Sequence, residues 1–456
     1  MLPLTARGLI RFDVEDFLTA ASDDALLYMM AAMRRQGMPG SYGLVGKKVW
    51  ALGERGREDI LKELRQERSL GFHSTSHSEH PTIAEELAPL DYPAAVHRFL
   101  ERERPGVVAV SQAVGAPRYF TQPGANWVPE AAEALPQLGM DLYFTDSFNS
   151  YVVDLTAPYW YGEVLLLSFP VVNPRPFGLG LPGNLKQAIE FIESWEGKPG
   201  TFMVMLHPTE LVTYEFWDAV NFAHGRTREV LVPGPVRTAL EQRQALESFA
   251  SYLQEIRHKN IEWCDAQTIR EMVEPRRPVK VSRRELEHAI YAHGVGPVQV
   301  RDGFLSAAEA LYALAKLSRS PAEGQVAVSY VGAPSNWRAD DGEKPAITGD
   351  RLRAFSRAVV EAVETTGRLP SGPIGGVSLE QGMWALLGRR DVRNGPPAFL
   401  RYIKDPDDLH WDWPIFPEQF RPMRLWQDAR RLAWTLKPAA LKLDEGTIAD
   451  FGGRGR

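Results

Sequence analysis

About the first 270 residues of the chain alternate short apolar runs with amphipathic stretches, and this alternation constrains the fold more than any other feature. Runs such as GLIRFDV, VLLLSFPVV and TFMVMLHP are typical of buried strands. Stretches between them, such as GREDILKELRQERSLG, have the spacing of helices. Repeated strand–helix units predict parallel strands covered by helices. Their number suits an α/β barrel, in which functional residues gather at the carboxyl ends of the strands.

This pattern is interrupted at VEPRRPVKVS, where two prolines and a basic cluster follow the last strand–helix unit. We therefore predict a barrel domain over 1–275 and a smaller, mostly helical domain over 276–456. In the second domain, FLSAAEALYALAKL and GVSLEQGMWALLGR each follow a Gly-Pro pair and an amphipathic helix, and they align with Ser306 on Ser378. This alignment predicts a duplicated helical unit. The tail DLHWDWPIFPEQFRPMRLW either packs the repeats together or exposes its rings to a ligand.

Charge and composition exclude several classes of protein. A net charge of -6 argues against nucleic-acid binding and against attachment to an anionic membrane by charge. No apolar run approaches the roughly 20 residues that span a bilayer. The lone Cys264 excludes an internal disulfide bond. Because no secretory leader is visible, we expect a cytoplasmic location, with association with the cell envelope as the alternative. The oligomeric state is not predicted.

The segment GFHSTSHSEH holds three of the ten histidines of the chain within eight positions. On a helical turn, the four-residue spacing would place His73 and His77 on one face, where both could bind one metal ion. A polar surface loop is the alternative for this segment taken alone. The metal-binding interpretation therefore depends on whether other polar residues converge on the same place.

Other polar side chains follow apolar runs at the positions where a barrel would present its functional face. They are Asp13, Glu15, Asp16, Arg118, Asp146 and His207. Two imidazoles and one carboxylate leave open coordination positions on Zn²⁺ or a similar ion. A second carboxylate could accept a proton from water, and a histidine opposite could protonate a leaving nitrogen. This combination predicts hydrolysis of an amide.

The motifs RFDVED, HSTSH, APRYFTQPGANW and MLHP, in this order over about residues 8–272, resemble those of the polysaccharide deacetylases. This is the NodB-homology group, also called carbohydrate esterase family 4. The resemblance implies a distorted (β/α)₇ barrel that removes acetyl groups from an N-acetylated sugar or polysaccharide. It also implies a divalent metal ion, with zinc expected and cobalt, nickel or manganese as alternatives.

The resemblance implies roles for individual residues. Asp13 matches the general base and His207 matches the general acid. His73 and His77 match the two histidine ligands of the metal. Arg118 would hold Asp13 in its ionised form by its opposite charge.

Two of the implied roles have alternative residues. The metal carboxylate is either Glu15 or Asp16, and Glu15 is favoured because alternate residues at a strand end face the same side. Asp146 or Asp154 would orient His207, although the tryptophan that usually adjoins the family's aspartate is missing here.

The chain also departs from the family pattern. The arginine motif is RYF, and Ser78 follows His77 where proline is usual. His80 is either a substitute ligand or a loop residue. The insert over 209–236 either walls a substrate pocket, through Trp217, Asn221, Phe222 and His224, or caps the barrel.

Two alternatives to sugar deacetylation stay open. One is hydrolysis of a small linear or cyclic amide such as allantoin, on which relatives with this fold also act. The other is a non-catalytic protein that binds a polysaccharide. The duplicated helical units weakly resemble repeats that bind cell-wall polymers such as pseudomurein, which favours a polymer as partner.

Overall fold

The structure is a computed structural model that describes residues 5–146, 150–176, 183–319, 324–337, 347–388, 397–409 and 411–442, without the side chain of Asp146. The described residues before 275 contain ten strands: β1 (Arg7–Val14), β2 (Ser41–Leu44), β3 (Leu70–Phe72), β4 (Tyr119–Thr121), β5 (Leu142–Asp146), β6 (Tyr159–Tyr161), β7 (Val164–Phe169), β8 (Val171–Val172), β9 (Thr201–Leu206) and β10 (Glu262–Cys264). The same described residues contain ten α-helices: α1 (Ala21–Gln36), α2 (Gly46–Glu54), α3 (Glu58–Leu64), α4 (Ile83–Leu87), α5 (Tyr92–Ala113), α6 (Ala131–Ala134), α7 (Leu185–Glu193), α8 (Trp217–Phe222), α9 (Ala239–Ile256) and α10 (Ala266–Met272).

The described residues after 275 form β11 (Val279–Val281), β12 (Val298–Val300), β13 (Gly303–Leu305), β14 (Val326–Val328) and β15 (Lys437–Pro438). Their α-helices are α11 (Arg283–His293), α12 (Ala307–Arg319), α13 (Gly349–Thr366), α14 (Leu379–Leu386) and α15 (Met423–Leu432). Short 3-10 helices lie at Leu135–Leu138, Pro208–Leu211, Ala223–Gly225, Ala398–Tyr402, Pro406–Asp408 and Ala433–Thr435.

The parallel strands form a closed barrel. Strand β9 pairs with β1, and the pairing continues through β2, β3, β4 and β5 to β7. Only Pro170 separates β7 from β8, and β8 pairs in parallel with β9, so this single run of chain closes the ring. In the described part of the chain, seven parallel strands make up the ring, with β7 and β8 counted as one, and β10 pairs in parallel with β1 beside it. The ring confirms the predicted distorted (β/α)₇ barrel. The interruption at Pro170 is the visible distortion.

The sequence of β1 explains how polar groups enter the barrel. Successive side chains of a strand point to opposite faces. Ile10 and Phe12 belong to the large core cluster that includes the surrounding helices, whereas Leu9 belongs to a cluster inside the barrel. Arg11 and Asp13 have the parity of Leu9 and are 1% and 2% exposed. The interior is therefore apolar at the amino end of β1 and charged toward its carboxyl end.

The region after residue 275 contains five helices and short antiparallel pairs of strands in its described parts. Helices α12 and α14 begin with the same local structure, in which a serine hydroxyl accepts from a backbone N–H and a side chain three residues on accepts from the serine N–H. These pairs are Ser306 with Glu309 and Ser378 with Gln381. The aligned serines thus share a capping role, while the duplication itself stays a prediction.

The C-terminal region is joined to the barrel through the sheet. Strand β15 pairs antiparallel with β6, with Lys437 opposite Trp160. The Lys437 ammonium also donates to both carboxylate oxygens of the buried Glu309, at 2.9 and 2.8 Å. The boundary predicted near residue 275 falls between α10 and β11, but segments from both sides contribute to one sheet. Within the described ranges, no helix combines the length and apolarity that crossing a bilayer requires.

Candidate metal and acid–base site

Five of the predicted site residues meet at the carboxyl ends of the barrel strands. Asp13 is next to last in β1 and Glu15 follows that strand, while His73 follows β3 and His207 follows β9. The Glu15 Oε2 atom lies 3.1 Å from His73 Nε2 and 2.8 Å from His77 Nε2. The Asp13 Oδ2 atom lies 3.5 Å from His207 Nε2. Residues separated by well over a hundred positions in sequence are thus neighbours in the barrel.

The loop from His73 to His77 is not the helical turn that the spacing suggested. Ser74 has φ 71° and His77 has φ 52°, both in the left-handed region. Such conformations cost about 1 kcal/mol or more for residues other than glycine. The Ser74 hydroxyl accepts from the backbone N–H of His77 at 2.8 Å and stabilises the turn. The turn brings the two imidazole centroids to 5.0 Å, so the histidines converge by a different backbone path from the one predicted.

Neighbouring groups fix the orientation of both histidines. The backbone carbonyl of Thr121 accepts from His73 Nδ1 at 3.1 Å, and the Thr121 hydroxyl also contacts this nitrogen. His77 Nδ1 contacts the Ser78 hydroxyl at 2.6 Å, and that hydroxyl donates to Asp218 at 2.7 Å. Because these contacts engage the Nδ1 atoms, the Nε2 atoms are left to face Glu15. Outer contacts of this kind are typical of histidines that ligate metals.

The donor set fits a divalent metal ion. Glu15, His73 and His77 each offer a ligand atom, and these atoms all lie within 4.8 Å of one another. Two imidazole lone pairs facing a carboxylate oxygen repel it unless positive charge lies between them. Protons on the two Nε2 atoms supply such charge when no metal is bound. In that state burial raises the pKa of Glu15, but the charge of His77 and hydrogen bonds from both histidines outweigh burial and hold this pKa well below its usual value. The cluster is therefore a strong attractor of positive charge, of the N/O type that zinc binds.

Asp16 faces away from this cluster. Its Oδ1 atom accepts from the backbone N–H groups of Leu18 and Thr19 at 3.0 and 2.8 Å. Its Oδ2 atom accepts from the Thr209 hydroxyl at 2.6 Å. Both oxygens of Asp16 are thus used to hold the loop before α1, and Glu15 is the carboxylate that the structure brings to the histidines.

Arg118 is not near Asp13, which corrects the prediction for this residue. It precedes β4, at the amino end of the barrel, and its side chain is exposed. The partner of Asp13 is Arg11, whose Nη2 atom donates to Asp13 Oδ2 at 2.6 Å with both side chains buried. The correction has a simple geometric reason. Arg11 and Asp13 are two residues apart on β1 and therefore face the same side. Arg118 precedes β4 and therefore lies at the amino end of the strands, whereas Asp13 lies near their carboxyl ends.

A carboxylate that the sequence analysis did not assign, that of Glu210, accompanies His207. The Glu210 Oε2 atom lies 3.4 Å from His207 Nδ1. Burial lowers the pKa of His207, but the charge of Glu210 and, to a lesser extent, those of Glu15 and Asp13 raise it to about 9. Asp146 ends β5, and its side chain lies outside the described structure. Asp154 is exposed.

His80 is a structural residue of the loop rather than a ligand. Its Nδ1 atom pairs with Glu85 at 2.7 Å, and its Nε2 atom contacts the backbone carbonyl of Phe222 at 2.8 Å. Both ring nitrogens are therefore already occupied. Because Phe222 belongs to the insert, His80 anchors the insert to the histidine loop.

Sequence reasoning missed three residues that complete the site, Arg11, Glu210 and Asp218, and it did not predict the contact that Trp217 of the insert makes with Glu15. Trp217 Nε1 donates to Glu15 Oε1 at 3.0 Å and fixes the free oxygen of this carboxylate. The spacing rules could have found Arg11, two residues before Asp13, and Glu210, three residues after His207. No local signal identifies Asp218 or the contact of Trp217 with Glu15, because the insert must first fold back over the barrel.

No protein-family model matches the chain, and no curated protein matches it. Solved structures give weak matches. A Mycobacterium smegmatis protein assigned as a polysaccharide deacetylase is 15% identical over 59% of this chain and 89% of that chain, with a TM-score of 0.39. The peptidoglycan deacetylase PdaC from Bacillus subtilis is 14% identical over 59% and 93%, with a TM-score of 0.33. A Bacillus anthracis pseudoenzyme of the CE4 family is 11% identical over 59% and 66%, with a TM-score of 0.32. Similarity at this level does not establish a function, which has to be inferred from the residues of this chain.

Proposed function

We propose that this protein is a metal-dependent hydrolase that removes the acetyl group from an N-acetylated sugar. The observation that supports the proposal is an acid–base pair beside a set of metal ligands. Asp13 Oδ2 and His207 Nε2 lie 3.5 Å apart, and both side chains line the same cavity as Glu15 and His77. Binding of a sugar without chemistry would not require such a pair.

Glu15, His73 and His77 would hold the metal ion. Their two nitrogens and one oxygen suit zinc, with cobalt, nickel or manganese as alternatives. When bound, the ion would polarise the amide carbonyl and acidify a water molecule. The contacts of Thr121, Ser78 and Trp217 described above would keep the three ligands in the orientation that binding requires.

The remaining residues would move the protons. Asp13 would accept a proton from the attacking water, and the buried Arg11 guanidinium, 2.6 Å from Asp13 Oδ2, would hold this carboxylate in place by its opposite charge. His207 would donate a proton to the leaving nitrogen, which departs as the amine while the acetyl group leaves as acetate. With a pKa raised to about 9, His207 carries the required proton at neutral pH.

The proposal is tested by metal analysis of the purified full-length protein, followed by an assay of acetate release from N-acetylglucosamine and its oligomers. We expect about one divalent ion per chain and acetate release that stops on chelation and returns with Zn²⁺. Allantoin belongs in the same substrate panel, because its hydrolysis without any acetate release would favour the small-amide alternative. A protein that binds sugar oligomers but holds no metal and turns over no amide would instead be a non-catalytic binding protein.

The pH dependence of the reaction tests the role of His207 separately. Because the acid must be protonated, we expect the rate to fall as the pH rises through the pKa of His207, at or below pH 9 since a bound cation lowers this pKa. In Glu210→Gln a negative charge that raises this pKa is lost, and the alkaline limb moves to lower pH by about one unit. The measurement is kcat/KM against pH for both proteins. An unchanged alkaline limb in Glu210→Gln would exclude His207 as the group that causes it.

A further inference from the structure

The insert over 209–236 forms one wall of the cavity above the acid–base pair. It contains α8, and the residue before this helix, Phe216, packs edge-on against His207 with ring centroids 5.3 Å apart and planes at 84°. Phe216 and Ala219 line the cavity with their apolar surfaces. Phe216 is only half-buried, so part of its ring faces the cavity. The insert therefore does more than cap the barrel.

A segment of the C-terminal region, more than 130 residues beyond the barrel, also lines the cavity and forms a second wall. Trp413, Pro414 and Ile415 line the same cavity as Asp13 and His207. The Trp413 ring also lies edge-on to His77, with centroids 6.4 Å apart and planes at 73°. It fits closely over Gly124, since a Cβ atom there would lie 2.2 Å from the ring. Trp413 is half-buried, so it too keeps an accessible surface.

The two walls are bonded to each other. The backbone N–H of His224 donates to the carbonyl of Pro414 at 2.8 Å, and that of Gly225 donates to the carbonyl of Ile415 at 2.9 Å. Ile415 is buried in an apolar cluster that also contains Trp217 and Phe222 of the insert. Backbone bonds and a shared apolar cluster therefore hold the two segments together beside the site.

The size and lining of the cavity limit what it can hold. Its volume is about 290 Å³, at the lower end of the range for pockets that bind small molecules. The floor carries Asp13, Glu15 and His207, and the sides carry the rings of Phe216 and Trp413. A pyranose ring has apolar C–H faces and a polar rim, and aromatic rings at the sides of a polar floor match both. Within the cavity there is room for one such ring with its acetamido group.

We propose that Phe216 and Trp413 seat a single sugar ring of the substrate, so that the enzyme deacetylates an isolated or terminal N-acetylated sugar and not the interior of a polymer. This inference rests on the proposed deacetylase function. It adds the class of substrate and names Phe216 and Trp413 as the residues that select it. It also gives the C-terminal region a role in the site itself, independent of any polymer that the helical repeats bind.

The first test measures binding of the sugar to Phe216 and Trp413 in a variant that does not turn the substrate over. Asp13→Asn, loaded with Zn²⁺, is titrated calorimetrically with N-acetylglucosamine, and the titration is repeated after adding Trp413→Ala or Trp413→Phe. We expect the Kd to rise about tenfold or more with alanine, equivalent to about 1.4 kcal/mol, and less with phenylalanine because a ring is kept. Trp384→Ala is the matched control, because its half-buried ring stacks on Tyr291, 6.3 Å away, in another part of the C-terminal region. An equal loss of affinity in the control, or no loss in Trp413→Ala, would contradict the proposed binding of the sugar ring by Trp413.

The second test is the position of the acetyl group that is removed. The otherwise unsubstituted protein is incubated with the tetramer of N-acetylglucosamine, and the products are sequenced by mass spectrometry. We expect only a terminal ring to lose acetate, and removal from inner rings at a similar rate would overturn the inference. The two proposals fail differently. If binding depended on Trp413 but no substrate released acetate, the proposed sugar-binding role of Trp413 would stand and the proposed hydrolase function would fail. If acetate were released with a kcat/KM insensitive to Trp413→Ala, the hydrolase function would stand and the role of Trp413 would fail.

Discussion

Replacing His73 with alanine is expected to remove both the bound metal and the activity. The substitution takes away one of the three ligand atoms that lie within 4.8 Å of one another around Glu15. It also leaves the buried Glu15 carboxylate facing a single imidazole. Replacing a residue that hydrogen-bonds to a metal ligand typically lowers metal affinity about 10- to 100-fold. Replacing the ligand itself should lower the affinity further. Metal content after dialysis, measured by mass spectrometry, and acetate release are the two readouts.

The loop provides a matched control seven residues further on. His80 is a histidine of the same segment, but its ring nitrogens contact Glu85 and the carbonyl of Phe222. In His80→Ala we expect a full complement of metal, together with a lower thermal unfolding midpoint because two buried polar contacts are lost. His97→Ala, at an exposed position of α5, controls for loss of a histidine as such. Suppose that His80→Ala lost its metal while its unfolding midpoint stayed normal, and that His73→Ala kept its metal. The proposed ligand set of Glu15, His73 and His77 would then be wrong.

Replacing Asp13 with asparagine is expected to separate metal binding from catalysis. The amide keeps the shape of the carboxylate and can still accept from Arg11, but it cannot take a proton from water. General bases typically contribute about 10²- to 10⁴-fold to the rate, so a loss of kcat in this range is predicted. Glu15, His73 and His77 are untouched, and the metal content should stay near that of the unsubstituted protein.

Asp16→Asn is the control that this chain offers for Asp13→Asn. It removes the same charge three residues away, at an equally buried carboxylate. The asparagine oxygen can still accept from the N–H groups of Leu18 and Thr19. We expect both metal and most of the activity to remain. If Asp13→Asn kept its full rate, the base would be misassigned, and if Asp16→Asn lost its metal, Asp16 would replace Glu15 in the ligand set.

The barrel and the position of its site were determined by local patterns in the sequence. Apolar runs such as VLLLSFPVV recur at strand spacing between helical stretches, and parallel strands built in this way place their carboxyl ends together. A polar residue directly after an apolar run, such as His73 after Phe72 or His207 after Leu206, is therefore already assigned to one end of the barrel. Alternation within a strand also favoured Glu15 over Asp16. These inferences need only the period of a strand, which each segment carries by itself.

Local spacing was a weaker guide to how the residues contact one another. The spacing of His73 and His77 suggested a helical turn, but their convergence depends on left-handed backbone at Ser74 and His77. Arg118 was assigned to Asp13 by its motif, although it lies at the wrong end of β4. The sequence alone does not indicate which of several nearby charged residues contacts Asp13, because the contact depends on strand register and on side-chain direction.

Only the tertiary structure decided what surrounds the site. Trp217 reaches Glu15 from a position 202 residues away, and Trp413 approaches His77 from the C-terminal region. Each contact requires the insert and the segment around Trp413 to fold over the finished barrel and to bond to each other. Such contacts are set by the packing of whole elements, which no periodicity in the insert or the tail encodes. The sequence therefore determined the barrel and the chemistry of its floor, while the tertiary structure decided which aromatic side chains line the cavity.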